Sequence, residues 1–469
     1  MKNTKIVSTI GPATDSKQKI ADLVEAGVNV FRQNFSHVDH EQHKEIYERI
    51  RDVSEKTAVM IDTKGPEIRL GEVKEGTVLE EEHTVELTTE DIEGNSERLS
   101  VSYKDLMENL DSGDEVRIDD GKIELEVLEV DGNVAECEVL YGGEVSTRKA
   151  VNVPGKDIGL TAPTEKDVKD IEFAAELGYD FVSLSFVKSA EDVENVRQIL
   201  DEHGSQMDII SKIEHGKAVE NFDEILEASD GIMVARGDLG VEVPAAQLPA
   251  LQKEMIRKSN QAGKPVITAT QMLESMTENS TATRAEISDV ANAVLDGTDA
   301  VMLSGETAIG DYPVKTVRFM SDVVQEVESE IEQQVHHTVK TPAENTNEII
   351  CKGVWQAAND GDASYVVAHT SSGSTARNIA KHRPETDIIA FTDSEVVERQ
   401  LNLIWGVDPY YQEFKETVDS MLEDSAQRLE TLGKVDVDDK LVMTAGIPTS
   451  VAGTTNMMQV RTVEQILEE

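Results

Sequence analysis

The chain has 469 residues, and its 92 Asp and Glu residues outnumber its 44 Lys and Arg residues, which gives a formal net charge of -48. At roughly 150 residues per domain, this length predicts about three domains. The acidic residues are spread along the whole chain, and their charge argues against binding to nucleic acid or to an anionic membrane. Such a surface is typical of adaptation to concentrated salt, where the Debye length falls to about 3 Å at 1 M, although a moderately salt-tolerant acidic protein would have a similar composition.

Cysteine content and hydropathy indicate the compartment. Cys137 and Cys351 are the only cysteines in the sequence, and neither has a CxxC or CxxH neighbour. The chain therefore predicts neither a disulfide framework nor a zinc site. No run of 18 or more apolar residues occurs, and the first residues lead directly into a strand pattern. We expect a cytoplasmic protein that is neither secreted nor membrane-spanning.

Short apolar runs alternate with charged segments at helical spacing, which is the pattern of βα units around a parallel sheet. In chain order these runs are KIVSTI, VNVFRQNF, TAVMID, FVSLSF, DIISKIE, GIMVARG, PVITATQ and AVMLSGE. Eight consecutive units predict an α/β fold with a closed TIM (β/α)8 barrel, whose active site lies at the carboxyl ends of the strands. The residues expected at those ends are Arg32, Asp62, Lys212, Asp238, Thr270 and Ser304.

Two further regions interrupt and follow this pattern. Residues 67–161 change to period-two strands with Gly-containing turns, which predicts a small inserted β-barrel that acts as a lid. The main barrel is then expected at residues 1–66 and 162–336. After a linker-like segment, VHHTVKTPAENTN, residues 337–469 alternate strands with helices and predict an open α/β domain at the carboxyl terminus.

One lysine and two carboxylates fall close together in this scheme. Lys212 and Glu214 alternate in SKIE and so point to the same side of a strand, and Asp238 follows in VARGDLG. Such residues most often form an exposed salt bridge. At neighbouring strand ends of a barrel, they favour a divalent-metal site beside an ammonium group, which together neutralise negative charge that develops on an oxygen.

The chain contains neither a Walker A sequence nor GxGxxG, so a phosphate substrate must be held by side chains and metal. Arg32 and Asn34 alternate on the second predicted strand, and the third ends in Asp62 before Glu67 and Arg69. Any one of these residues could serve fold stability alone. Basic and oxygen-bearing residues at several strand ends of one barrel indicate a catalytic site.

Segments from Thr4 to Pro313 resemble the pyruvate kinase family and occur in the family's order. They are TKIVSTIGPATDS, FRQNFSH, IDTKGPEIR, TEKD, SKIE, MVARGDLGVEVP, ATQMLESM, TRAEISDVANAV and VMLSGETAIGDYP. A weaker match in the last region extends the resemblance over nearly the whole chain. It implies a phosphotransferase that transfers the phosphoryl group of phosphoenolpyruvate to ADP, producing ATP and pyruvate, and it suggests a homotetramer.

The resemblance also implies site residues. Those implied in catalysis are Lys212, Arg32, Thr270 and Ser304. Those implied in substrate binding are Arg32, Lys212, Gly237, Asp238 and Thr270. The nucleotide is expected to contact Asn34, His37, Arg69 and, from the lid side, Lys166. The implied ligands of Mg²⁺ or Mn²⁺ are Glu214 and Asp238, and those of K⁺ are Asn34, Ser36, Asp62 and the carbonyl of Thr63.

Some positions bear on regulation or depart from the family pattern. In the family, a glutamate at the position of Glu67 accompanies K⁺ dependence, whereas K⁺-independent members often carry the residue found at Leu70. The loop Thr370, Ser371, Ser372, Gly373, Ser374 and Thr375 resembles an effector-phosphate loop, with a simple Ser/Thr helix cap as the alternative. A second effector loop is partly matched by AGIPTSVAGTTN.

The chain departs from the family pattern at three places. The departures are Gln33 in place of leucine, Lys188 in place of arginine, and Gly159-Leu160-Thr161 in place of DLP, which leaves the geometry of lid closure open.

Two other functions fit part of this pattern. A metal-dependent barrel aldolase or lyase acting on a pyruvate enolate also uses an arginine and a Glu/Asp metal pair, but it would not need Arg69, Lys166 or the lid. A nucleotide-sensing scaffold without activity would be expected to lack Lys212 or the metal carboxylates, and all of these are present.

Overall fold

The computed structural model describes residues 2–331, 346–415, 417–446 and 455–468. The first elements are β1 Lys5–Ile10, α1 Lys17–Ala26, β2 Val30–Asn34, α2 His40–Val53 and β3 Ala58–Asp62. Short strands follow: β4 Ile68–Arg69, β5 Val78–Leu79, β6 Thr84–Thr88, β7 Arg98–Ser100, β8 Glu115–Ile118, β9 Ile123–Asp131, β10 Val134–Tyr141, β11 Gly143–Glu144 and β12 Ala150–Asn152.

Alternation of helices and strands then resumes. The next elements are α3 Glu165–Leu177, β13 Phe181–Leu184, α4 Ala190–Glu202, β14 Asp208–Ile213, α5 Gly216–Glu220, α6 Phe222–Ala228, β15 Gly231–Ala235, α7 Arg236–Glu242, α8 Leu248–Ala262, β16 Val266–Ala269, α9 Arg284–Leu295, β17 Ala300–Leu303, α10 Gly305–Ala308 and α11 Pro313–Ile331. The last are α12 Thr346–Asp360, β18 Tyr365–His369, α13 Ser374–Ala380, β19 Ile388–Thr392, α14 Glu395–Leu401, β20 Val407–Tyr411, α15 Val418–Thr431, β21 Lys440–Ala445, β22 Met457–Thr462 and α16 Val463–Leu467.

Parallel strands between residues 5 and 303 close into an eight-stranded barrel, in the order β1, β2, β3, β13, β14, β15, β16 and β17, with β17 returning to β1. Helices cover the outside, so these strands are buried on both faces and read as continuous Val- and Ile-rich runs. Side chains such as Val7, Met60 and Met233 fill the interior. The predicted TIM barrel is confirmed.

The inserted strands form a second, smaller barrel. Seven of them hydrogen-bond in the order β4, β12, β8, β9, β10, β6 and β7. The two edges meet where Leu70 bridges Val101, and on either side Gly71 N–H donates to the Ser100 carbonyl and Ser102 N–H donates to the Arg69 carbonyl, both at 2.8 Å. This region has a separate apolar core, which confirms the predicted small β-barrel.

The carboxyl-terminal sheet is open, as predicted. Its strands run in the order β20, β19, β18, β21 and β22, and only β22 is antiparallel to its neighbour within the described residues. Apolar clusters cover both of its faces. The predicted linker VHHTVKTPAENTN falls largely on residues 332–345 and the loop AGIPTSVAGTTN largely on 447–454, which lie outside the described residues.

An ion-pair cluster joins this last region to the amino end of the main barrel. Asp180, just before β13, is fully buried and accepts from Arg51 Nη2 at 2.7 Å, from Arg399 Nε at 2.6 Å and from Val59 N–H at 2.8 Å. Arg399 lies on α14, so the carboxyl-terminal region docks at the end of the barrel opposite to the strand ends where catalytic residues are expected. No described helix has the length and apolar character needed to span a membrane.

Candidate active site

The carboxyl ends of β2, β3 and β14 bring together the charged residues that the sequence singled out. Arg32 Nη2 bonds to Asp62 Oδ2. Lys212 Nζ lies 3.2 Å from Asp62 Oδ1 and 2.7 Å from Glu214 Oε1. Parallel strands end at the same edge of a barrel, and this is why residues separated by about 150 positions in the chain converge here.

Burial excludes the exposed salt bridge as the explanation of this cluster. Lys212 is 9% exposed and Glu214 is 1% exposed. Lys212 also donates to Ser185 Oγ at 2.7 Å, so three oxygen atoms, two of them from ion-paired carboxylates, lie within 3.2 Å of its ammonium nitrogen. An ammonium group held in this way has a fixed direction, which a flexible surface lysine does not have.

The charges in the cluster do not balance. Two cations, Arg32 and Lys212, face three carboxylates, those of Asp62, Glu214 and Asp238. Burial opposes the charged form of Lys212, but Asp62 and Glu214 outweigh burial and raise its pKa above the ordinary value. Burial also raises the pKa of Glu214 to about 7 and raises that of Asp238, with Lys212 opposing both shifts. The site therefore favours one more cation or proton.

Glu214 and Asp238 suit a hard divalent cation. Asp238 lies in the first turn of α7, directly after β15, and so does not belong to the strand itself. The described residues contain no group of three or more His, Cys, Asp or Glu side chains arranged to hold a metal. Mg²⁺ commonly takes only one or two protein carboxylates and completes its shell with substrate oxygens and water. The two carboxylates and the excess negative charge fit that kind of ion.

Gly237 and Thr270 lie against each other beside Asp238. The Gly237 N–H donates to Thr270 Oγ1 at 2.8 Å, and that hydroxyl donates to the Ala269 carbonyl at 2.7 Å. Thr270 has a φ of 66°, a left-handed conformation that costs energy for a β-branched residue and is typical of functional sites. Ser304 lines the same cleft, which has a volume of about 600 Å³.

A second cleft, of about 1010 Å³, opens on the side of Ser36 and Arg69. Its lining includes the cations Lys64, Arg69 and Arg148 and the polar His37, together with four carboxylates, those of Glu67, Glu72, Asp91 and Glu93. Arg69 pairs with Glu67 at 2.8 Å. This cleft lies where the small β-barrel meets the main barrel, and its cations suit the phosphates of a nucleotide.

Lys166 lies elsewhere than expected. It belongs to α3, a helix of the main barrel, whereas the sequence predicted an approach from the lid side. Its ammonium group donates to the Phe35 carbonyl at 2.8 Å and to Asp170 at 2.5 Å. Lys166 therefore contacts the loop that carries Ser36 and His37, and it does so from the main barrel.

Oxygen atoms of the expected K⁺ ligands surround the ends of β2 and β3. Asn34 and Asp62 are register partners on the two strands. Asn34 Oδ1 accepts from the Ser36 N–H at 3.0 Å, and the Thr63 carbonyl accepts from Ser185 Oγ at 2.7 Å. Amide, hydroxyl, carboxylate and carbonyl oxygens are the kinds of atom that a hard monovalent cation takes, so the donor set fits.

Some residues at the site were missed by the sequence reasoning. Ser185 links Lys212 to the Thr63 carbonyl, and Arg236 is buried and bonds to the Thr270 carbonyl at 2.8 Å and to Asp289 at 2.7 Å. Glu306 accepts from the Ser304 N–H at 2.7 Å. Ser185 and Arg236 immediately follow barrel strands, so the strand-end rule applied to every such position would have found them, whereas Glu306 lies further on, in α10.

The departures at the lid connection have a local explanation. Lys188 pairs with Asp157 at 2.6 Å, which ties the segment after β13 to the segment after β12. Gly159 has a φ of 76°, the left-handed region in which glycine is favoured. Gly159 thus allows a bend in this connection, and the ion pair between Lys188 and Asp157 joins the connection to the segment after β13.

The predicted effector loop begins after β18 and leads into α13. The helix N-cap is Gly373, which has no side chain, so the Ser/Thr cap offered as an alternative is not observed there. Ser372 Oγ donates to Ser374 Oγ at 3.2 Å, and Thr375 Oγ1 is 2.6 Å from Thr455 Oγ1.

The fold and site define a barrel enzyme that transfers a group by stabilising negative charge on oxygen. The family model "Pyruvate kinase, barrel domain" matches residues 1–317, and "Pyruvate kinase, alpha/beta domain" matches residues 348–461. Proteins named pyruvate kinase from Staphylococcus epidermidis and Staphylococcus aureus are each 44% identical, over 99% of this chain and 81% of theirs. A crystal structure of a pyruvate kinase from Cryptosporidium parvum superimposes with a TM-score of 0.93 at 38% identity, over 98% of this chain and 96% of that one.

The chain belongs to the pyruvate kinase family. It is a phosphotransferase with pyruvate kinase function, the transfer of a phosphoryl group from phosphoenolpyruvate to ADP. The family in general uses Mg²⁺ and K⁺.

Proposed function

We propose that Lys212 is the group that stabilises the transferring phosphoryl and the enolate oxygen it leaves. The observation that carries this proposal is the triple anchoring of its ammonium group by Glu214, Ser185 and Asp62 inside a buried, net negative cluster. A fixed cation in a site of low dielectric stabilises developing charge much more than a mobile surface lysine does. Its raised pKa keeps the ammonium charged throughout the neutral range.

Arg32 binds the phosphoryl group in this proposal. Its guanidinium is held by Asp62 and by Thr9 Oγ1, at 2.9 Å, and a planar fork held on one side presents its other donors in a fixed direction. During transfer, the bond from phosphorus to the enol oxygen breaks and a bond from phosphorus to a terminal oxygen of ADP forms. Arg32 and Lys212 neutralise the charge on the phosphoryl oxygens as this exchange proceeds.

Glu214 and Asp238 would hold Mg²⁺, or Mn²⁺, which supplies Lewis-acid neutralisation of substrate oxygens. Asn34, Ser36, Asp62 and the Thr63 carbonyl would hold K⁺, which adds positive charge beside the phosphoryl group. Glu67 favours K⁺ dependence. Activity in KCl and in NaCl at equal ionic strength tests this part of the proposal, and full activity in NaCl would contradict it.

The substrate carboxylate binds at Gly237 and Thr270 in this proposal, close to Asp238. The bond between the Gly237 N–H and the Thr270 hydroxyl supports a shared anion site, because a carboxylate can accept from both groups once the hydroxyl turns. Thr270 and Ser304 line one cleft, and we propose that their hydroxyls order the water that protonates the enolate. Unchanged ketonisation of enolpyruvate by both Thr270→Ala and Ser304→Ala would refute the water chain.

ADP occupies the larger cleft in this proposal, with its phosphates near Arg69, Lys166, Asn34 and His37. Residues 67–161 act as the lid domain, residues 1–66 and 162–336 as the catalytic domain, and residues 337–469 as a domain for assembly into a homotetramer. The Thr370–Thr375 loop binds an effector phosphate, supported by its hydroxyl groups and by the α13 terminus, which begins at a glycine.

The acidic composition supports a further part of the proposal, that this chain is a cytoplasmic enzyme of a salt-accumulating cell. Its 92 acidic and 44 basic residues give a self-repulsion that concentrated salt screens. A coupled assay for ATP from phosphoenolpyruvate and ADP, with Mg²⁺ in concentrated KCl, tests the whole proposal. Aldol cleavage of pyruvate adducts by the same preparation, without ATP formation, would instead favour a barrel aldolase or lyase.

A further inference from the structure

A buried polar contact lies behind the nucleotide cleft, on the outer face of β2. Gln33 is 1% exposed and points away from Arg32 and Asn34, because side chains on a strand alternate between faces. Its Oε1 lies 2.8 Å from Nδ1 of His43 on α2. The other ring nitrogen of His43, Nε2, lies 3.0 Å from the backbone carbonyl of His37. Gln33, His43 and the His37 carbonyl thus form one chain of contacts.

The hydrogen-bond donors and acceptors in these contacts do not all match, so one assignment must change. Both ring nitrogens of His43 face oxygen acceptors, but a neutral imidazole carries only one N–H. Burial lowers the pKa of His43 to about 4, so the ring is neutral near pH 7. Nε2 of the buried Gln33 amide has no partner among the described residues. Exchanging the oxygen and nitrogen of this amide, which have nearly the same shape, gives each contact of His43 one donor and one acceptor, and it leaves the amide oxygen at the unpartnered position.

After this exchange, the direction of each hydrogen bond is determined. The Gln33 amide nitrogen donates to Nδ1 of His43, and Nε2–H of His43 donates to the His37 carbonyl. The His43 ring is also stacked on Phe35, with 3.7 Å between ring centroids and an interplanar angle of 2°. Neither bond can be reversed, because the His37 carbonyl can only accept.

The segment held by these contacts, residues 35–38, needs such support. Val38 has a φ of 54°, which is strained for a β-branched residue. Another contact comes from Lys166, which donates to the Phe35 carbonyl at 2.8 Å. Ser36 and His37 line the nucleotide cleft. Displacement of this segment would therefore change the wall of that cleft and move Ser36, a proposed K⁺ ligand, while Lys212 keeps its own contacts with Ser185, Glu214 and Asp62.

We propose that Gln33 is a positioning residue for the nucleotide: it fixes His43 as the Nε2–H tautomer, and this tautomer holds residues 35–38 against the nucleotide cleft. The proposal rests on the proposed placement of ADP in that cleft. Gln33 does not touch substrate in this proposal. It acts through His43 and the His37 carbonyl.

The first test reads the tautomer directly. Solid-state NMR of protein labelled with ¹⁵N-histidine distinguishes a proton on Nδ1 from one on Nε2, and the His43 signals are assigned by their loss in His43→Phe. We expect neutral His43 with its proton on Nε2, and a change of the His43 signals in Gln33→Leu. Gln42→Leu is the matched control, because Gln42 is exposed on the same helix and should leave these signals unchanged. A proton on Nδ1, or on both nitrogens, overturns the proposal.

The second test reads the effect on the nucleotide. Gln33→Leu should raise the KM for ADP about fivefold to tenfold, the effect of losing about one buried hydrogen bond, and change the KM for phosphoenolpyruvate less than twofold. Gln33→Met, which removes the amide donor and keeps an unbranched side chain of similar length, should also raise the KM for ADP. Should Gln33→Leu not fold, Gln33→Met carries the same expectation.

The two tests separate this inference from the proposed function. An unchanged KM for ADP in folded Gln33→Leu and Gln33→Met, or an equal rise in both KM values, overturns the positioning role. Inability of the wild-type protein to form ATP refutes the proposed function, whereas the NMR measurement still decides the tautomer.

Discussion

Two buried ion-pair clusters lie at opposite ends of the same barrel and differ in charge balance. At the amino end, two cations, Arg51 and Arg399, outnumber the single carboxylate of Asp180, which accepts hydrogen bonds from both and from a backbone N–H. At the carboxyl end, Arg32 and Lys212 face more carboxylates than they neutralise, and the pKa of Glu214 is raised to about 7. A satisfied cluster stabilises one structure. A cluster with excess negative charge has an affinity for a further cation, which only a functional site needs.

The largest expected effect is on kcat, which should depend on the carboxyl-end cluster and not on the amino-end cluster. Lys212→Met should lower kcat about a thousandfold, because it removes the buried cation proposed to stabilise the phosphoryl and enolate oxygens. The measurement is ATP formation at saturating substrates, with circular dichroism as the control for folding. Arg399→Met is the matched variant at the amino end, and its kcat should remain within about twofold of the wild type.

For the thermal stability of the fold, the amino-end cluster should matter more than the cluster around Lys212. Asp180→Asn leaves Arg51 and Arg399 without their buried carboxylate and should destabilise the fold by about 3 kcal/mol. Differential scanning calorimetry should show a lower thermal midpoint, while the KM values of the remaining folded enzyme stay unchanged. A thermal midpoint equal to that of the wild type would show that the amino-end cluster does not stabilise the contact between the main barrel and the carboxyl-terminal region.

The raised pKa of Glu214 predicts a pH-dependent cation affinity. A cation binds the ionised carboxylate, so its affinity is constant well above the pKa of about 7 and weakens as the pH falls through that value. Isothermal titration of Mg²⁺ at pH 8 and pH 6 should show a loss of about tenfold. Glu214→Gln, the control, should bind weakly at both pH values. Equal affinities of the wild type at pH 8 and 6 would contradict the charge excess.

The smallest expected effect concerns the surface, where neither cluster acts. Raising KCl from about 0.1 M to 2 M should raise the thermal midpoint by several degrees, because shorter Debye lengths screen the charge of -48. NaCl at equal concentration separates screening from K⁺ binding, and both salts should stabilise the protein similarly. A midpoint that falls or stays constant in both salts would refute the proposed salt adaptation.

Sequence patterns predicted the architecture because each unit has a distinct period. The Val- and Ile-rich runs identified the barrel strands, and period two with turns identified the inserted β-barrel. Strand alternation also predicted that Lys212 and Glu214 point the same way, which the 2.7 Å contact between them confirms.

Other features depend on contacts between distant residues that no local pattern records. Ser185 is polar like many strand-end residues, and only the folded structure shows that it joins Lys212 to Thr63. The position of Lys166 on α3 and the contact of Gln33 with His43 arise from packing between elements. Burial of the cluster, which raises the pKa of Glu214, likewise follows from closure of the whole barrel.

The central claim is that the anchored ammonium group of Lys212 carries phosphoryl transfer, and a comparison of Lys212→Met with Lys212→Arg in the coupled ATP assay tests it most directly. We predict that Lys212→Met loses about a thousandfold in kcat at a temperature at which circular dichroism shows the variant to be folded. We also predict that Lys212→Arg, which keeps the charge with a different shape, retains more activity than Lys212→Met. A folded Lys212→Met protein that keeps kcat within tenfold of the wild type would contradict the claim.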